Sequence, residues 1–201
     1  MSERPRVALT IDTEYGDGPG RPDNAERLLD VMGREGVIAS FFLQGRWTAA
    51  HPGVAAAIAG AGHLVGNHSN WHVRMPLLTD DGLVEDVRTA EGAIAAATGA
   101  DPRPFFRCPY GDGHDDPRVL DGLRRLGYRH VPWHIDGEDW RADQTADGIV
   151  ARVLDGARRQ GDGAIVVVHS WPDVTTEALP RLIDGLRADG AELVRLDGID
   201  E

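Results

Sequence analysis

Two histidines four residues apart, His68 and His72, close the run Val65-Gly66-Asn67-His68-Ser69-Asn70-Trp71-His72. The apolar stretch His63 to Val65 leads straight into them and reads as a strand. Neutral imidazole is the commonest protein ligand for zinc and similar ions. A spacing of four lets both rings face one point if the segment makes a helical turn, although such pairs also arise by chance on surfaces. Asn67, Ser69 and Asn70 add hydrogen-bonding groups suited to a tight loop and to orienting ligands. A second polar group follows the apolar run Val7-Ala8-Leu9-Thr10-Ile11: Asp12, then Glu14. Strand alternation points Asp12 and Glu14 the same way and Thr13 the other. One carboxylate could complete a two-histidine metal site, and a second could take a proton from metal-bound water. Equally, the pair could simply cap the strand. Asp17, in the same loop, is a lesser candidate.

Other chemistry-bearing residues also follow apolar runs. His169 comes after Ala164-Ile165-Val166-Val167-Val168; paired with Asp139 it could act as a protonated general acid, or it could be structural. Arg107, between Phe106 and Cys108-Pro109-Tyr110-Gly111, could clamp a carboxylate such as Asp12. Cys108 has no visible base partner and reads as a pocket-lining thiol rather than a nucleophile. Trp71, Trp140 and Trp171 fall in loops where flat faces could line a pocket, whereas Trp47 and Trp133 read as core. The Gly16–Gly20 loop has neither the spacing nor the lysine of a phosphate-binding loop, and no nucleophile elbow is present.

Short apolar runs alternate with helical patterns along the whole chain. Strands are expected at Val7–Ile11, Val37–Leu43, His63–Asn67, Phe105–Arg107, Tyr128–Ile135, Ala164–Val168 and Glu192–Leu196. Between them lie helices at about 23–35 (a capping box from Asp23 to Glu26), 47–59, 79–98, 116–126, 145–159 and 176–188. Strict alternation implies parallel strands with helical crossovers, in an open doubly wound sheet or a barrel. In both, ligands bind at the C-terminal strand ends, where Asp12, Glu14, His68, His72, Arg107, Asp136, Asp139 and His169 collect.

The chain has 201 residues, 41% hydrophobic and 27% charged, which suits one globular domain over 1–201. A net charge of −12 argues against nucleic acid or an anionic membrane as partner. Cys108 is the only cysteine, so no intrachain disulfide can form. No stretch is apolar enough to span a bilayer, and residues 1–6 show no signal core, so a cytoplasmic location is expected. Oligomeric state is not legible.

Five segments together resemble the polysaccharide deacetylase family, carbohydrate esterase family four, over about residues 7–196. They are Leu9-Thr10-Ile11-Asp12-Thr13-Glu14 (similar to T-F-D-D), His68-Ser69-Asn70-Trp71-His72 (H-[ST]-x-x-H), Arg107-Cys108-Pro109-Tyr110-Gly111 (R-P-P-Y-G), Asp136-Gly137-Glu138-Asp139-Trp140 (D-x-x-D-W) and Val167-Val168-His169 (L-x-H). The resemblance implies a single-domain incomplete (β/α) barrel of about seven parallel strands and metal-dependent amide hydrolysis. It implies His68 and His72 as metal ligands, Asp12 as the base and Arg107 orienting Asp12. The metal and the Tyr110 backbone amide would stabilise the oxyanion, and His169, tuned by Asp139, would protonate the leaving amine. Trp140 and Val167 would help form the acyl pocket.

The first motif departs from the common pattern: Thr13 stands where a second Asp is usual, and Glu14 follows. The chain resembles divergent members of the family with a D-x-[DE] first motif, in which the second acid is the ligand; this D-x-E variant implies Glu14 as the third ligand, with Thr13 and Asp17 as alternatives. The ion is divalent; zinc suits this donor set, and cobalt, nickel or manganese could occupy it. Cys108 and His134 also depart from the pattern, near the expected substrate. The leading expectation is removal of N-acetyl groups from an amino sugar or chito-oligosaccharide, a small or oligomeric substrate. Hydrolysis of cyclic amides or imides on the same fold, and a non-catalytic glycan-binding member, are the alternatives.

Overall fold

The structure, a computed structural model, describes residues 4–16, 20–21 and 23–199. In chain order its elements are β1 (Arg6–Thr13), α1 (Asn24–Glu35), β2 (Ser40–Leu43), α2 (Gly45–Ala50), α3 (Pro52–Gly60), β3 (Leu64–Asn67), α4 (Asp80–Thr98), β4 (Phe105–Phe106), α5 (Pro117–Arg125), β5 (Arg129–His130), β6 (Ile135–Asp136), α6 (Ala146–Gln160), β7 (Ala164–His169), α7 (Asp173–Ala188) and β8 (Glu192–Val194). Seven strands run in the hydrogen-bonded order β5-β4-β3-β2-β1-β7-β6, with β8 joining β1 off that path. Parallel strands alternating with helices make the fold an incomplete (β/α) barrel, the class expected. Among the described residues no helix is long and apolar enough to cross a membrane. The chain divides into two compact units, 1–40 with 133–201, and 41–132.

In the first unit β1 is the central strand. It pairs in parallel with β7 from Val7↔Ala164 to Asp12↔His169 and with β8 from Arg6↔Glu192 to Ala8↔Val194. Val7, Ala8, Leu9 and Ile11 are all at most 1% exposed, as expected for a parallel strand covered on both faces. The apolar stripe of α7 (Ala178, Leu179, Leu182, Ile183 and Leu186) is buried too. α7 begins at Asp173, earlier than the expected Thr176, with an acid in its first turn. The capping box expected at Asp23 is not formed: Asp23 makes no side-chain cap, and its carboxylate accepts from Arg21 Nε instead. The stop at Gly36 is as expected, left-handed at φ 61°.

The second unit stacks β3, β4 and β5 in parallel. α4 starts at the cap Thr79, whose hydroxyl accepts from Gly82 N, and stops at the left-handed Gly99. The single helix expected over 47–59 is two, because Pro52 takes the first helical position of α3 and pushes the preceding His51 out of the helical region (φ −126°, ψ 50°). The single strand expected over 128–135 is likewise two. β5 pairs with β4, whereas β6 pairs with β7. Val131 N still donates to Phe106 O, but Pro132 has no N–H with which to continue that ladder. Trp47 is core as expected, at 7% exposed, whereas Trp133 is only half-buried.

Candidate active site

The second unit holds the histidine loop. Each strand there is followed by a residue that extends its ladder: His68 N donates to Leu43 O, and Arg107 N donates to Asn67 O. His68 and Arg107 are therefore fixed as rigidly as strand residues. His68 is 2% exposed, and its Nδ1 lies 2.9 Å from Arg107 O. A carbonyl only accepts, so Nδ1 carries the proton and the Nε2 lone pair is left to bind a metal. The His72 ring lies 4.9 Å from that of His68 and 4.5 Å from that of Tyr110. Ser69 and His72 both adopt positive φ (62° and 58°), which non-glycine residues hold only where their surroundings impose it.

Side chains do the imposing. Ser69 N donates to Asn67 Oδ1 (2.9 Å), and His72 N donates to Ser69 Oγ (2.9 Å). Between them Asn70 N and Trp71 N donate to the two carboxylate oxygens of Asp86 on α4, at 2.8 and 3.0 Å. Burial pushes the Asp86 carboxyl up, against the lowering pull of these two N–H groups and of His72. Asp86 was not singled out in the sequence. Its signal was there to read: an acid on the buried stripe Leu83, Asp86, Val87, Ala90, Ile94.

Arg107 is fully buried, with its guanidinium 4.1 Å from the Phe42 ring centre and Nε donating to Val131 O (3.2 Å). Tyr110 is 51% exposed and in the left-handed region (φ 58°). Cys108 is buried, and burial pushes its thiol up to about 12, which leaves it no thiolate for nucleophilic chemistry.

The first unit holds the acids. Asp12 lies inside β1, in register with His169 on β7, and Ser170 N donates to Asp12 O. Glu14 follows the strand and is 6% exposed. Asp139, 1% exposed, takes His169 Nδ1 on one oxygen (2.7 Å). Its other oxygen accepts from His169 N and from the hydroxyl of Thr175, a residue that sequence reasoning missed. Burial of His169 works to lower its pKa, but the Asp139 charge and hydrogen bond, with Glu14 and Asp12 behind them, outweigh it and hold the ring at about 10. Val167 is buried within β7 and pairs with Thr10 and Asp136, whereas Trp140 is 50% exposed.

Trp171 is half-buried, and a Cβ on Gly16 would lie 2.1 Å from its ring, so one face of the indole is covered by Gly16. His134, expected near the substrate, instead accepts from Ile165 N at its Nδ1, near the start of β7 and away from His169 at its end. Asp17 lies outside the described residues.

Among the described residues, the side chains suited to hold a metal ion are His68 and His72 in the second unit and Glu14 in the first. Two imidazoles and a carboxylate, one imidazole with its tautomer fixed, are a fitting donor set for a zinc-like ion with a position left open.

A family model for polysaccharide deacetylases matches residues 2–131. A peptidoglycan-N-acetylglucosamine deacetylase of Bacillus cereus is 29% identical over 194 residues, 94% of this chain and 66% of the relative. This chain thus spans just under two thirds of that relative's length. A family 4 carbohydrate esterase from Streptomyces lividans, solved in complex with acetate, superposes with a TM-score of 0.82 at 29% identity, over 94% of this chain and 91% of that one. A family pseudoenzyme from Bacillus anthracis superposes at 0.85 and 29% identity, over 98% of this chain and 65% of its own. With the family model covering well over half of its length, the chain belongs to the polysaccharide deacetylase family.

Proposed function

We propose that this chain is a metal-dependent hydrolase that removes N-acetyl groups from an amino sugar or a chito-oligosaccharide-type substrate. The observation that carries the reading is the histidine pair: the rings of His68 and His72 lie 4.9 Å apart, and Arg107 O fixes the His68 tautomer so that Nε2 is free to bind a metal. Glu14 takes the third ligand position that an adjacent Asp fills in the common motif, and zinc suits the set best. A divalent ion bound there supplies a Lewis acid and lowers the pKa of water. Asp12 accepts the proton of the attacking water, with Arg107 orienting it. The Tyr110 backbone amide donates to the developing oxyanion. His169, held protonated by Asp139, delivers its proton to the amine nitrogen as the C–N bond breaks. Trp140 and Val167 flank the acetyl group. The acetate-bound relative supports the leaving acyl group, and the Bacillus cereus relative supports N-acetylglucosamine as its carrier.

The test is acetate release from N-acetylglucosamine oligomers by the purified protein, with metal content measured and with chelator as the second arm. Acetate release that stops on chelation and returns with metal is expected. Turnover that survives complete metal removal refutes the mechanism. Hydrolysis of cyclic imides without acetate release moves the function to that bond. Oligomer binding without turnover makes the chain a glycan-binding member, like the pseudoenzyme in fold and unlike the carbohydrate esterase in action.

A further inference from the structure

We infer that Asp86 is a positioning residue that sets how tightly the histidine loop holds its metal ion. The inference rests on the metal-site reading above and adds to it a residue that touches neither ion nor substrate. The loop is unusual in how its backbone is satisfied. Every N–H from residue 68 to 72 has an acceptor: Leu43 O, Asn67 Oδ1, the two oxygens of Asp86, and Ser69 Oγ. Only the first of these is a backbone group. Asp86 thus takes two of the three N–H groups that lie between the two ligands with one planar carboxylate, which fixes the peptide planes leading into His72.

Asp86 is itself held rigidly. It is 4% exposed and sits on the 19-residue α4, whose next residue, Val87, accepts from Asn67 Nδ2 (3.0 Å) through its carbonyl. One turn further on, Ala90 packs so closely under Gly45 that a Cβ there would lie 2.6 Å from its Cα. The same α2 terminus ties the loop from the other side, with Gly45 N donating to Ser69 O (2.9 Å). A buried carboxylate with both oxygens committed to backbone N–H groups cannot be replaced by an amide without turning an NH2 toward a donor. Released from Asp86, Ser69 and His72 would relax from their positive φ values, and the His72 ring would leave its bound orientation.

The experiment is titration of metal-free protein with cobalt(II), followed by its visible absorption, and with zinc by calorimetry. Asp86→Asn is expected to weaken the metal Kd by roughly 10–100-fold, the usual effect of losing an outer partner of a metal ligand. Glu91→Gln, on the same helix and bonded to the Tyr128 hydroxyl, is expected to leave the Kd unchanged. If Asp86→Asn does not fold by circular dichroism, Asp86→Glu, which keeps both oxygens one methylene further out, is read instead and should weaken Kd by roughly tenfold. A folded variant whose Kd stays within about twofold of the parent overturns the inference, as does Glu91→Gln weakening the Kd equally. A parent protein that binds neither metal sinks the site reading itself, a separate and distinguishable failure.

Discussion

Replacing Asp139 by Asn should discharge His169 and cost the fold its acid-side stability. Asp139 is almost wholly buried and accepts three hydrogen bonds, two of them from His169. Asparagine keeps one acceptor and turns an NH2 group toward donors already in place. The imidazolium then faces burial with only Glu14 and Asp12 to favour it, so its titration should fall from about 10 to well below that value. The distance from about 6.5 to about 10 corresponds to roughly 5 kcal/mol, and breaking a buried charge pair costs about 3–5 kcal/mol. A folded-state pKa raised above the unfolded one stabilises fully below the unfolded value, and that stability is lost as pH rises through the folded value. The variant should therefore lie about 3–5 kcal/mol below the parent at pH 6, with the gap closing toward pH 10. Urea unfolding of metal-free protein across this range measures it, and the imidazole proton resonances of His169 report its charge directly. A stability gap that does not change with pH, or a His169 that still titrates near 10 in the variant, would refute the account of the pair.

A second histidine should act in the opposite sense. Burial lowers the His63 pKa to about 4, and its ring packs 4.9 Å from that of Phe41. Here the folded value is depressed, so stability is full above about 6.5 and falls by about 3 kcal/mol as pH drops toward 4. His63→Phe should flatten urea midpoints over that interval; an unchanged acid slope counts against it. Gly45→Ala should lower stability by about 1–3 kcal/mol, since the new methyl meets Asn70 Oδ1 and the Ala90 backbone, and an unchanged unfolding midpoint would show that the contact yields.

The strands and the residues at their ends were legible because parallel strands buried on both faces read as apolar runs, and because ionisable groups interrupt those runs at Asp12, His68, Arg107 and His169. Two breaks were also written in the chain but outweighed by pattern. Pro52 and Pro132 sit inside periodic stretches, and each removes the hydrogen bond on which continuation depends. Asp23 fails as a cap for a reason absent from its motif: its carboxylate is engaged by Arg21. Asp86 and Thr175 escaped notice because each acts across sequence, 15 or 16 residues from the N–H groups of the loop and 36 from Asp139. An acid on an apolar helical stripe is the one local sign of such a tie, and Asp86 carries it.

The loop from Asn67 to His72 has a consequence for how this chain can vary. From Ser69 to His72 its backbone N–H groups are held by the side chains of Asn67, Ser69 and Asp86 rather than by neighbouring strands. A ladder of peptide groups is nearly indifferent to which residues compose it, but a backbone suspended from side chains can be edited one codon at a time. Its shape is thus open to inheritance and selection in small steps while both histidines stay in place.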